Sequence, residues 1–125
     1  MINLLLIFFG AGLGGVCRYG ISHGIAQRLG TDFPYGTLIV NATGSFFMGI
    51  LFVIILERIG NLAPPLRAFV LIGFLGGYTT FSSFSIETIL LFEQGAWMAG
   101  ILNVLSSVVI CITLTGLGML GGRLL

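Results

Sequence analysis

Lysine is absent from this chain of 125 residues, and charged residues of any kind make up only 7% of it. A soluble domain has about a quarter of its residues charged, so the composition excludes an ordinary soluble protein. The five basic residues are all arginines, scattered at positions 18, 28, 58, 67 and 123. Because the net charge is only +1 and the arginines form no cluster, the sequence predicts no binding to nucleic acid.

Hydrophobic residues, in contrast, make up 57% of the sequence. Polar breaks divide it into four apolar segments, predicted at residues 4–24, 36–59, 66–92 and 97–120. Since about 20 residues suffice for a helix to cross a bilayer, each segment is a predicted transmembrane helix. We therefore expect an all-α membrane protein with a single four-helix domain over residues 1–125 and no separate soluble domain. The first residues lack a basic region, so we expect the first span to be retained rather than cleaved as a signal peptide.

The arginines give little information about orientation in the membrane. Four spans place both termini on one side, together with Arg58, Arg67 and Arg123, whereas Arg28 and at most Arg18 lie on the other side. This excess is too small to fix one orientation by the positive-inside rule. The chain could therefore insert both ways round, which would permit an antiparallel dimer.

Glycine is abundant, with 20 residues, although it is unfavourable inside soluble helices. Four pairs have the small-xxx-small spacing that lets membrane helices approach closely. These pairs are Gly10/Gly14, Gly20/Gly24, Gly73/Gly77 and Gly118/Gly122. The spacing predicts a tightly packed bundle, and we expect a chain this small to form an oligomer if it encloses a pore.

Residues suited to enzymatic chemistry are scarce. Cys17 and Cys111 lie within predicted spans, and we interpret them as packing residues rather than a disulfide or a metal pair. His23, near the end of the first span, is interpreted as an interface residue rather than a proton relay. Residues 10–15, GAGLGG, match a dinucleotide-binding pattern with Asp32 downstream. That fold would place a strand before the acidic residue, and the sequence predicts no strand before Asp32. Without a nucleophile and base pair or a metal cluster, the sequence does not predict an enzyme.

The third predicted span contains the most informative segment, residues 73–85, GFLGGYTTFSSFS. Gly76-Gly77 followed by Thr79-Thr80 predicts a helix interruption near the membrane midplane, with Thr79 or Thr80 as the cap of the second half-helix. Backbone that leaves helical pairing at that depth is tolerated only where protein buries it or a watery cavity receives it. An interruption also frees carbonyl groups, which can hold cations, and directs the positive end of a helix dipole to the midplane.

Other polar residues lie inside the spans. Asn41 in the second span needs a hydrogen-bonding partner or water. In the fourth span, polar side chains recur every four residues at Asn103, Ser107, Cys111 and Thr115. This track is explained either by hydrogen bonds between helices or by a polar site, and the sequence leaves both interpretations open.

Two aromatic residues follow the predicted interruption. Phe81 and Phe84 share one helix face, with Thr80 and Ser83 on or beside it. Aromatic pairs of this kind usually only pack. A ring edge, however, carries positive partial charge and could help a small anion to lose its water.

These motifs closely resemble the Fluc (CrcB) family of fluoride channels, over essentially the whole chain. The resemblance rests on GFLGGYTTFSSFS followed by Glu87, on GTLIVN at 36–41, on the glycine-rich segment reaching Arg18, and on TGLG at 115–118. It implies an antiparallel, dual-topology homodimer in a bacterial or archaeal plasma membrane. Such a dimer, surrounded by membrane lipid, would have two pores that export fluoride passively from the cytoplasm.

The resemblance also implies roles for individual residues. Asn41 would be the pore-lining amide, and Phe81 and Phe84 would present ring edges to fluoride. Hydroxyls would come from Thr80 and Ser83 on the third helix and from Ser107 on the fourth. Backbone carbonyls of Gly76 and Thr79 would hold a central, structural Na⁺. Asn103 departs from the tyrosine that some family members have nearby, and Arg18 would either reach the interface or draw anions into a vestibule.

Two other classes of function remain. A small proton-coupled drug exporter is also a four-span, dual-topology dimer, but it needs a membrane-embedded carboxylate, and the first span has none. Glu87 would have to serve, whereas in a fluoride channel we expect it to lie about 12 Å from Thr79 along the helix and to reach the interface. An accessory subunit would explain the glycines but not the combination of Asn41, Phe81 and Phe84.

Overall fold

The computed structural model describes residues 1–125, apart from the side chain of Leu62. Four helical segments are long and apolar enough to cross a membrane: Ile2–Leu29, Tyr35–Arg58, Ala63–Glu93 and Trp97–Leu124. They are called the first to fourth spans below. The prediction of four membrane-spanning helices in an all-helical chain is confirmed.

The helical elements are as follows. The first span is helix α1 (Ile2–Leu29), and the second is α2 (Tyr35–Phe52) followed by a π-helical segment, Val53–Arg58. A 3₁₀ turn, Gly60–Leu62, leads into the third span, which comprises α3 (Ala63–Leu66), a π-helical segment Arg67–Leu75, α4 (Gly76–Tyr78) and α5 (Phe81–Glu93). The fourth span is α6 (Trp97–Leu124).

Several spans extend further than predicted. Helix α1 continues to Leu29 instead of ending near residue 24, and α6 continues to Leu124 instead of 120. Polar residues stop an apolar run but not a helix, because a helix can continue into the headgroup layer. The third span begins at Ala63 rather than 66, since Pro64 and Pro65 occupy its first turn, where no helical N–H donor is needed. Positive φ angles at Gly30 (82°) and Gly95 (80°) turn the chain between spans.

Glycines allow the helices to pack in pairs. Added Cβ atoms on Gly10 and Gly14 of α1 would collide with the backbone of the third span. A Cβ added to Gly118 of α6 would likewise collide with the Phe46 carbonyl of α2. One added to Gly49 of α2 would collide with the Thr115 carbonyl of α6. The first span therefore packs on the third, and the second on the fourth, with backbones in close contact.

One predicted glycine contact is wrong for the single chain. Nothing lies within 4 Å of a Cβ added to Gly20 or to Gly24, so this pair brings no other part of the chain close. The spacing is the same as that of the other pairs, but this part of α1 approaches α2 through Ser22, which would collide with a Cβ added to Gly36. A small core of Ile55, Leu71 and Leu75 joins the second and third spans.

The close contact at Gly14 leads to a stability prediction. In Gly14→Ala, the new methyl group would collide with the Phe74 carbonyl and lie 2.8 Å from the Tyr78 nitrogen. We expect the free energy of unfolding to fall by about 1–3 kcal/mol, the usual cost of overpacking. Thermal unfolding of the purified protein measures it. Gly12→Ala on the same helix, with nothing within 4 Å, is the control, and equal losses in both variants would contradict the packing described here.

Candidate functional site: the third span between Tyr78 and Phe81

Helical geometry is lost at two residues of the third span. Thr79 has φ −82° and ψ 157°, and Thr80 has φ −149° and ψ 117°, so both are extended between α4 and α5. Of the two threonines predicted as possible caps, Thr80 is the cap: its Oγ1 accepts a hydrogen bond from the Ser83 N–H at 3.1 Å. The N-terminus of α5 therefore begins inside the span rather than at its end.

The side chain of Asn41 satisfies the backbone at this point. The Thr80 N–H donates to Asn41 Oδ1 at 2.8 Å, and Asn41 Nδ2 donates to the Thr80 carbonyl at 3.0 Å. In an uninterrupted helix the Thr80 N–H would donate to the Gly76 carbonyl instead. Asn41 thus replaces the missing helical hydrogen bond and leaves the Gly76 carbonyl without that donor. The sequence predicted a polar partner for Asn41 but not this one, which lies 39 residues away.

A second pair joins α2 to the same region. The Tyr78 hydroxyl and Thr43 Oγ1 are 2.9 Å apart, and Tyr78 is buried. A Cβ on Gly44 would collide with the Thr79 methyl group, so Gly44 provides the space that this methyl occupies. The sequence analysis missed Tyr78 and Thr43, because a tyrosine and a threonine inside a span are ordinarily explained by packing.

A cavity of about 350 Å³ lies between α2, the extended residues and α6. It brings together five of the six residues predicted to line a pore, and Ser83 is the exception. The lining residues include Asn41, Thr80, Phe81, Phe84 and Ser107, with Ser45, Cys111 and Thr115 beside them. We call this the inner cavity.

The two phenylalanines lie together at the inner cavity. Their ring centroids are 5.3 Å apart and the ring planes are inclined by 52°, so the edge of one ring approaches the other. Phe81 is 78% exposed in the single chain, whereas Phe84 is half-buried. The predicted shared face is confirmed, and one ring is open to whatever covers this side of the molecule.

A second cavity, of about 430 Å³, lies on the other side of Thr80. Its lining includes Arg18, Ser22, His23, Thr37, Thr80, Ser83 and Glu87. We call this the outer cavity. Thr80 borders both cavities, so this residue lies at the boundary between them.

Glu87 lies close to the turn between the first two spans, since Thr31 and Pro34 line cavities together with it. Its Oε1 accepts a hydrogen bond from the Thr37 hydroxyl at 2.8 Å, and among the described residues its buried Oε2 has no partner. Thr37 is the third residue of α2, so this hydrogen bond joins the third span to the start of α2. Glu87 also lines the outer cavity, and its reach to the membrane interface stays a prediction.

The polar track of α6 divides into two parts. Asn103 is 2% exposed and donates to Thr88 Oγ1 at 2.9 Å, and Thr115 donates to the Ser45 carbonyl at 3.2 Å. These two residues hold helices together. Ser107 and Cys111 line the inner cavity, and Thr115 lines it as well. Each of the two interpretations left open by the sequence thus applies to part of the track.

Comparison with known proteins identifies the family. Residues 5–119 match the family model described as "CrcB-like protein, Camphor Resistance (CrcB)". The chain belongs to the CrcB family. A CrcB relative from Coxiella burnetii (strain Dugway 5J108-111), named "Fluoride-specific ion channel FluC", is 57% identical over 122 residues, 98% of both chains.

Other CrcB relatives cover the chain equally well. A protein of the same name from Shewanella denitrificans is 47% identical over 118 residues, 94% of both chains. Another from Magnetococcus marinus is 44% identical over 124 residues, 99% of this chain and 100% of its own length. The resemblance found from the sequence motifs is confirmed.

Asn41 provides a direct test of how this CrcB chain satisfies its backbone. Asn41→Leu keeps a similar volume but leaves the Thr80 N–H and carbonyl without partners. We expect the free energy of unfolding to fall by about 1–3 kcal/mol, the cost of unsatisfied buried polar groups. Chemical or thermal unfolding measures the loss. Asn61→Leu, at an exposed turn, is the control, and an unchanged stability of Asn41→Leu would show that the two hydrogen bonds do not support the fold.

Proposed function

We propose that this chain is the subunit of a fluoride channel that lets fluoride leave the cytoplasm passively. Whole-length relatives named fluoride-specific ion channels support the transported ion. The observation that carries the mechanism is the inner cavity, where the Asn41 amide, the hydroxyl residues Thr80 and Ser107 and the two phenylalanines lie together. Under this proposal the protein is a channel and not an enzyme, and fluoride is the ion that it transports.

The donors around the inner cavity suit fluoride. This ion is small and strongly hydrated, so a pore must replace its water with compact hydrogen-bond donors. A carboxamide nitrogen carries two hydrogens, and Asn41 uses one of them for the Thr80 carbonyl. The second hydrogen remains for an anion, so Asn41 would support the backbone and line the pore at once. Ser107 and the ring edges of Phe81 and Phe84 would complete the set.

Passive movement of fluoride is favoured when the residues around its binding site are uncharged. Among the described residues that line the inner cavity, none is charged. A fixed cation would hold fluoride tightly, and a fixed anion would repel it, whereas neutral donors let it bind and leave. The competing function, a proton-coupled exporter, would need a carboxylate at its substrate site. Glu87 is bonded to Thr37 and lines the outer cavity, not the inner one.

We assign the outer cavity as a vestibule. Arg18 is half-buried there, and its charge would raise the local concentration of anions before they reach Thr80 and Ser83. The hydroxyls of these two residues lie 3.1 Å apart and would receive fluoride next. This assigns Arg18 to anion attraction rather than to direct contact at the membrane midplane.

The carbonyl groups of Gly76 and Thr79 are suited to a structural Na⁺. Asn41 takes the amide that a helix would offer to Gly76, and Gly76 is exposed on the surface of the single chain. Carbonyl oxygens are hard neutral ligands of the kind that Na⁺ prefers. Each chain would supply two oxygens, and a second antiparallel copy would supply two more. The bound ion would offset the partial charges that meet at the helix interruption near the midplane.

The same arrangement supports an antiparallel homodimer. Phe81 and Gly76 are exposed, and Gly20 and Gly24 have no partner within the chain, so a second copy would cover surfaces that the single chain leaves open. The weak arginine bias supports insertion in both orientations, in the lipid of a bacterial or archaeal plasma membrane. Each of the two antiparallel chains would contribute the inner cavity of one pore.

If the chain inserts in both orientations, reporter domains fused to the C-terminus should signal from both sides of the membrane.

The phenylalanine rings test the proposed mechanism. Phe81→Ile and Phe84→Ile retain apolar volume but remove the positive ring edge. We expect the rate of fluoride efflux from liposomes, per assembled dimer, to fall about tenfold or more in each variant, a rise of about 1.4 kcal/mol in the barrier. Dimer yield should remain near normal.

Phe8→Ile is a matched control, because Phe8 of α1 is 70% exposed and lies outside both cavities. It should leave efflux unchanged. If Phe81→Ile and Phe84→Ile also conduct normally, and lose only stability, the rings merely pack and the proposed pathway is incorrect.

A further inference from the structure

Tyr78, the last residue of α4, has its hydroxyl group in the protein interior, where an unpaired polar group costs free energy. The residue is only 8% exposed, and its ring stacks on Phe74 with a centroid distance of 6.1 Å and an interplanar angle of 6°. A buried hydroxyl without a partner is unfavourable. Its partner in this structure is Thr43 of α2, at 2.9 Å.

The direction of this hydrogen bond follows from the other contacts of Thr43. The Thr43 hydroxyl has one hydrogen, and it lies 2.8 Å from the Ile39 carbonyl and 3.1 Å from the Val40 carbonyl of its own helix. Because that hydrogen is used within α2, Thr43 Oγ1 is left as an acceptor. Tyr78 therefore donates its hydroxyl proton to Thr43.

The Tyr78–Thr43 and Asn41–Thr80 pairs lie on opposite sides of Thr79. Asn41 precedes Thr43 along α2, whereas Thr80, the partner of Asn41, follows Tyr78 along the third span. Gly44 completes the contact, since only a residue without a side chain leaves room for the Thr79 methyl group. One helix thus fixes the backbone both before and after Thr79.

We propose that Tyr78 is a positioning residue whose hydrogen bond to Thr43 sets the orientation of the carbonyl groups of Gly76 and Thr79. The hydrogen bonds of Asn41 fix the chain only at Thr80, the second of the two extended residues. The Thr79 N–H and hydroxyl both donate to the Leu75 carbonyl, which holds the turn before Thr79 but does not tie it to α2. Without the Tyr78 hydroxyl, that turn would be tied to α2 by packing alone and could rotate about its axis. The part of this inference that concerns Na⁺ rests on the proposed function.

The first test uses amide hydrogen exchange, which is independent of transport. Tyr78→Phe removes only the hydroxyl oxygen, and Thr43→Val removes the acceptor at nearly constant volume. We expect the Thr79 and Thr80 amides to exchange about threefold to tenfold faster in both variants, the effect of losing one hydrogen bond. Thr43→Ser, which keeps the acceptor, should exchange like the unmodified protein. Unchanged exchange in Tyr78→Phe would overturn the positioning role.

The second test measures the Na⁺ concentration that gives half-maximal fluoride efflux, separately from the maximal rate. In Tyr78→Phe we expect this concentration to rise about threefold to tenfold, while Tyr35→Phe, with a 42% exposed side chain outside both cavities, leaves it unchanged. A loss of stability with no change in this concentration would mean that Tyr78 only packs. If the unmodified protein shows no efflux, or none that depends on Na⁺, the proposed function fails, and hydrogen exchange still decides the role of Tyr78.

Discussion

The structure depends on a pair of hydrogen bonds between the Asn41 carboxamide and the backbone of Thr80. A membrane interior contains no water to satisfy a peptide group, so a span can leave helical geometry only where another group replaces the lost hydrogen bond. Asn41 does so on both sides of one residue, Thr80, by pairing with its N–H and its carbonyl. The consequence is that two residues remain extended between α4 and α5, and that the N-terminus of α5 lies at the inner cavity together with Phe81 and Phe84.

Close packing keeps Asn41 at the correct distance. Helix α1 holds the third span through Gly10 and Gly14, where any side chain would collide with backbone. Helix α2 approaches from another side, with Gly44 against Thr79. Because the contacts of Gly10 and Gly14 are with backbone atoms, they have little freedom to adjust. The same rigidity gives the inner cavity fixed dimensions, which is what a site for a small ion requires when its donors are neutral.

Much of this arrangement can be predicted from the sequence, and the remainder has physical reasons for being hidden. Hydrophobic runs predict the spans, and the glycine and threonine pairs mark the segment where Thr79 and Thr80 are extended. The spacing of two glycines does not show whether another helix packs on their side of the helix. Gly20 and Gly24 have the same spacing as Gly10 and Gly14, although nothing lies within 4 Å of a Cβ added to either of them. Spacing also does not show which distant group forms a hydrogen bond with a polar residue. The partner of Asn41 is a peptide group, and that of Glu87 is Thr37, 50 residues away.

The central claim is that neutral donors around the inner cavity replace the hydration of fluoride and of no larger halide. The most direct measurement is the release of fluoride and of chloride, followed in parallel, from liposomes that contain the purified protein. The account predicts rapid fluoride release while chloride is retained, because chloride would need a wider passage. Release of both ions at similar rates, or proton-dependent uptake of an organic cation in place of fluoride release, would contradict it.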